Sequence, residues 1–177
     1  MQLPFIKMDF GSIQSIYELN KLNNIFYLSK NIEHELQNVI KHNIPLSETI
    51  ISKLCPRSFT QYQHHTNYTP TSSLILESID NVELFYYLIY NYPYLVNEKI
   101  IRKSLNNFIT IIILYISGIK FVEQDLNYAC AKCGITEILI LCSIIRPSVI
   151  SMKVANYFKR WDIVGVLHKI YFYLNSK

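Results

Sequence analysis

Glycine and proline are scarce in this chain, four and six among 177 residues. Turn-rich β-sandwiches draw heavily on both, so their shortage argues against a fold of many short strands. Cysteine is also sparse. The four, at 55, 130, 133 and 142, are too few for a disulfide scaffold at this length. Three of them fall within expected helices, where a free thiol acts as a small buried hydrophobe, and this points to a reducing, cytoplasmic setting.

Long apolar runs are missing as well. The first residues lack the apolar core of a signal peptide. The most apolar stretch, 108–119, is too short to span a bilayer and reads as a buried helix, so no membrane association is expected. Asn67, Tyr68 and Thr69 form a glycosylation sequon, which without a secretion signal carries no role.

The chemistry-bearing patterns are absent too. Five histidines and 13 acidic residues form no HExxH, no nucleophile elbow and no glycine-rich phosphate loop. Cys130 and Cys133 have the spacing of a zinc half-site, but no second pair exists. A redox role would place such a pair at the start of a helix after a strand, and here it ends one helix before another. Both are expected to be packing residues. His64 and His65 with Cys55 match no recognised ligand spacing. No enzyme activity, cofactor or metal is expected.

Net charge is +4, with the cations scattered. The compact basic spots, Lys99, Arg102, Lys103 and Lys153, Lys159, Arg160, are what solvated helix faces carry, so nucleic acid is not the expected partner.

What the chain does have is apolar material: half its residues are hydrophobic, enough for a sizeable core. Much of the Tyr, Phe, Ile and Asn content reads as AT-rich coding bias. Residues 1–56 read as an N-terminal helical segment, with helices expected within 10–30 and over 32–42, the latter with Leu36, Val39 and Ile40 on one stripe. A further helix starts near Ser47 and stops at Pro56. Residues 57–72 are polar, lack a sustained period and read as an exposed loop and internal boundary.

From 73 to 177 one grammar recurs. Steps of 27, 27 and 25 residues separate Glu83, Thr110, Glu137 and Asp162. Each follows a polar turn and opens an apolar helix, over 82–90, 109–116, 136–145 and 161–174. A shorter helix precedes each turn, over 74–79, 98–105, 125–132 and 152–158. Near-constant spacing of this kind marks a repeat, and a two-helix unit buries its apolar faces only by stacking on neighbours.

The clearest unit runs through Ala129, Cys130, Ala131, Gly134, Glu137 and Ile138. Its small residues, glycine turn and acidic-apolar helix start resemble the ankyrin repeat. Nothing matches that family's Thr-Pro-Leu-His start, and the period is shorter than its usual 33 residues. The chain therefore looks like the degenerate, hairpin-poor ankyrin-like arrays of large DNA viruses and some protists. That resemblance implies an all-α solenoid of four helix pairs that binds another protein, often a host factor. The alternative is a structural subunit packed into a larger assembly.

Gly134 is expected in a turn with positive φ or in close approach to the adjoining unit. In the final helix, Ile163, Leu167, Ile170 and Leu174 should face the preceding pair. Trp161, Val166, Phe172 and Tyr173 are then candidate contacts for a partner or a second copy of the chain. Tyr62, His64 and His65 are further candidate contacts, placed in the polar loop.

Overall fold

The computed structural model describes Leu36, Ile40, Lys41 and residues 45–176. Among the described residues the structure is helical, with no β-strand. The chain divides into two compact units: one takes Met1–Pro45 and Arg57–Tyr68, the other Leu46–Pro56 and Thr69–Lys177. Leu36, Ile40 and Lys41 are helical, with Leu36 buried. They fall inside the helix expected over 32–42. The rest of that helix and the helices expected within 10–30 lie outside the described residues.

Most of 57–72, expected as a loop, is helical; only 67–71 lie between helices. Pro56 begins a helix and ends none: the short α1, Glu48–Ile51, stops ahead of it, and α2 spans Pro56–Thr66. Proline suits the first helical turn because its missing N–H would have no intrahelical partner there. Ser58, Phe59 and Tyr62 make one buried stripe at helical spacing. The apolar content of that stripe is only two rings, too little to register against Gln61, His64 and His65 on the other side.

In the second unit α3 spans Ser72–Glu77 and runs into a 3-10 turn, Ser78–Asp80. Then come α4 (Val82–Asn91), α5 (Glu98–Ser104) and α6 (Phe108–Ile116). The chain finishes with α7 (Glu123–Lys132), α8 (Ile135–Ile144), α9 (Val149–Tyr157) and α10 (Trp161–Asn175). The asparagines have work to do. Asn81, Asn97 and Asn107 accept from Leu84, Ile100 and Ile109 N–H at 3.3, 3.1 and 2.9 Å, capping α4, α5 and α6. Ser148 caps α9, accepting from Ile150 and Ser151 N–H.

Within this unit the helices form two layers. In one, α1, α3, α5, α7 and α9 each touch the next; in the other, α4, α6, α8 and α10 do the same. Each shorter helix also packs on the longer one that follows, α3 on α4 through to α9 on α10. Leu84, Phe85, Leu88, Ile89, Ile111, Leu114, Leu126, Ile138, Leu141, Ile163 and Leu167 are sealed between the layers. Each such side chain contributes roughly 1.5–3 kcal/mol by leaving water. Ala129, Cys130 and Ala155 are buried on α7 and α9, where small side chains allow close approach; Ala131 is half-buried.

Side-chain hydrogen bonds stitch successive pairs together. Asn81 Nδ2 donates to Leu54 O at 2.9 Å, Lys103 Nζ to Leu76 O at 3.1 Å, and Arg160 Nη2 to Cys133 O at 2.9 Å. The Cys133 thiol donates to Asn106 Oδ1 at 3.7 Å. All four pairs are 27 residues apart.

Gly134 departs from expectation. It sits at the N-cap of α8 with φ −75° and ψ 171°, an extended backbone open to any residue. A Cβ there would meet the flexible end of Glu137 and not an adjoining unit. Among the described residues the left-handed glycine is Gly118, at φ +84° after α6. Of the stripe expected to face inward on α10, Ile163 and Leu167 are buried, Ile170 is half-buried and Leu174 is exposed.

Candidate interaction surface

Helix α6 carries nine residues, FITIIILYI, and no charge. Its one hydroxyl other than tyrosine, Thr110, points inward and donates to Ser104 O and Asn107 O, both at 2.7 Å. Ile111, Ile113 and Leu114 fill the core beside it. Because a helix turns every 3.6 residues, the other apolar side chains must then face out. Phe108, Ile109, Tyr115 and Ile116 are exposed, Ile116 at 60%. The run read as a buried helix is therefore apolar on both sides and buried on one.

The neighbouring helices of the same layer repeat this arrangement. Tyr90 on α4, Ile135 and Leu139 on α8, and Trp161, Phe172 and Tyr173 on α10 are also exposed. The first positions of α6, α8 and α10 are Phe108, Ile135 and Trp161, equivalent residues in three successive pairs and all exposed. Charges on these helices are few: Glu83, Glu137, Asp162 and Lys169. Burial pushes the Glu83 carboxyl above its ordinary value. Exposed apolar surface on this scale is what marks docking sites on proteins.

The residues expected to make contacts are divided by the structure. Trp161, at 65% exposure, and Phe172, at 56%, stand in solvent with Tyr173, while Val166 is half-buried on the flank of α10. Tyr62 is not a surface residue. It is 2% exposed, its ring 5.7 Å from that of Tyr68, which also lies edge-on to Phe59 at 6.3 Å. His64 and His65 are exposed, with ring centroids 5.6 Å apart. With Arg57, Thr60 and Gln61 they line a shallow depression on one side of α2. The outward residues of α4, α6 and α8 escaped sequence reading because an apolar residue at helical spacing is assigned to the core by default. The available signal was a nine-residue helix with nothing charged to face water.

Three cysteines are held away from thiolate chemistry. Burial pushes the Cys130 thiol up to about 12 and those of Cys133 and Cys142 to about 11. The thiolate is the nucleophile and the metal ligand, so raised values suppress both chemistries. Among the described residues no group of three or more His, Cys, Asp or Glu is placed to hold a metal ion. No described helix is long and apolar enough to cross a membrane.

Comparison with known proteins adds no relative: no family model, curated protein or solved structure matches this chain.

Proposed function

We propose that this chain is a non-catalytic protein-interaction module, an all-α, ankyrin-like solenoid of stacked helix pairs that binds another protein. The observation that carries the reading is the repeated exposure of large apolar residues on α4, α6, α8 and α10. Stacked pairs of nearly constant length present equivalent positions side by side, which builds an extended binding face from residues far apart in sequence. On that face Phe108, Ile116 and Leu139 serve as anchors, since a few side chains in a desolvated centre carry most of the energy of an interface. The raised thiols of Cys130, Cys133 and Cys142 suit packing better than nucleophilic chemistry.

A second reading, a subunit held permanently in a larger assembly, is favoured by Tyr94 and Tyr157. These lie exposed outside the helices of that layer, so large aromatic surface is not confined to one face.

The test is a photo-crosslinker placed at Ile116, at Leu139 or at the exposed Lys53, followed by crosslinking in the native cell. The module reading expects one common protein trapped at Ile116 and Leu139 and lost from Lys53. Equal trapping at all three positions overturns it. A purified chain that aggregates whenever neighbours are withheld selects the subunit reading.

A further inference from the structure

We propose that two copies of this chain associate through α10, packed antiparallel about a two-fold axis that passes beside Gly165. The proposal rests on the outer-face reading above, because α10 supplies one end of that face.

The exposed positions of α10 include Trp161, Asp162, Gly165, His168, Lys169 and Phe172, the spacing of one helical stripe. Gly165 lies at its middle. A Cβ at that position would meet nothing within 4 Å, so the fold itself does not require glycine there. The residue nonetheless weakens the helix relative to alanine. Bare backbone between Trp161 and Phe172 leaves a notch into which a second helix can come close.

The charges are self-complementary about that notch. Asp162 precedes Gly165 by three residues and Lys169 follows it by four. The two are separated by about 10 Å along the axis, roughly two turns on one side of the helix. An antiparallel copy centred at Gly165 therefore sets Asp162 opposite the Lys169 of the other copy, and symmetry repeats the pair. The same operation brings Trp161 within a turn of the other copy's Phe172. The His168 ring, 4.4 Å from that of Phe172, braces it on this face.

Within the chain these charges are only loosely engaged. Asp162 Oδ1 lies 3.7 Å from Arg160 Nε, and the Arg160 guanidinium is already committed to Cys133 O. Lys169 has no hydrogen bond or ion pair in the described structure. The far end of α10 is held in place, since Arg146 Nη2 donates to Leu174 O at 3.3 Å.

Sedimentation velocity of the full chain tests the proposal, with circular dichroism as the folding control. The wild type is expected to dimerise at micromolar concentration. Asp162→Lys and Lys169→Asp should each weaken the dimer roughly ten-fold or more, because two attractive pairs become repulsive. The doubly reversed chain, and an equimolar mixture of the two single variants, should recover it. Gly165→Leu should give a folded monomer. Lys169→Asp and Gly165→Leu keep the question open to test if Asp162→Lys fails to fold. A monomeric wild type, or a dimer indifferent to both Lys169→Asp and Gly165→Leu, overturns the proposal. Ile116→Lys separates it from the outer-face reading. A monomer whose heterologous partner still depends on Ile116 sinks only the dimer, while a dimer whose partner ignores Ile116 sinks only that reading.

Discussion

Arg160 and Cys133 are joined across 27 residues by a hydrogen bond of 2.9 Å, from the guanidinium to the backbone carbonyl at the end of α7. Cys133 is the C-cap of α7 and Arg160 the N-cap of α10, so the bond ties one turn to the next. Arg160→Ala should lower unfolding free energy by about 1–3 kcal/mol, the range for a lost hydrogen bond to a charged donor. Arg160→Lys should retain part of it. Urea titration with an unchanged m-value checks both.

Asn81 makes a stronger case. Its Nδ2 donates to Ser52 O and Leu54 O at 3.0 and 2.9 Å, while its Oδ1 caps α4. Asn81→Asp keeps the cap and loses both donors; Asn81→Ala loses all three. Alanine should cost roughly 2–3 kcal/mol. Aspartate should cost at least as much, since it sets a carboxylate against two carbonyls. If both variants melt with the wild type, the stitching of the turns contributes nothing to stability.

The two turn glycines should behave in opposite ways. Gly118→Ala forces a Cβ into φ +84° and should destabilise by about 1 kcal/mol, although space around it is open. Gly134→Ala needs only a rotation of Glu137 and should stay within about 0.5 kcal/mol. Thermal melts of the two variants in one buffer decide the order.

Alkaline pH should weaken the fold through the thiols. An ordinary thiol titrates near 9.0, whereas those of Cys130, Cys133 and Cys142 are raised, Cys130 to about 12. Above pH 9 the native state therefore holds more protons than the unfolded chain, and stability falls as pH rises toward 11. Replacing all three by alanine should flatten that decline without moving the midpoint's pH dependence below 8. Native thiols at 130 and 133 should also resist alkylation until denaturant is added.

Within α2, Tyr62 and its histidine neighbours should part company. Tyr62→Ala removes a buried ring and should cost about 3–5 kcal/mol. His64→Ala and His65→Ala, both exposed, should stay within about 0.5 kcal/mol. Equal effects at 62 and 64 would place the buried side of α2 elsewhere.

The sequence alone determined the helical character, the placement of the pairs and most of their turns. The shorter helices expected at 98–105 and 125–132 and the longer ones at 109–116 and 161–174 emerge within two residues of their observed ends. Local chemistry suffices for this, because capping asparagines and 3.6-residue apolar periodicity act over a few positions. It missed α2, which begins 26 residues before α4, as α4 does before α6. A stripe of two aromatic rings is too thin a signal without the structure that buries it. The tertiary structure alone decided which apolar residues meet water. Ile113 and Ile116 are the same residue type on one helix, yet one is sealed and the other 60% exposed. No local rule separates them, because the difference lies in where α4 and α8 pack against α6, a relation among segments roughly 26 residues apart.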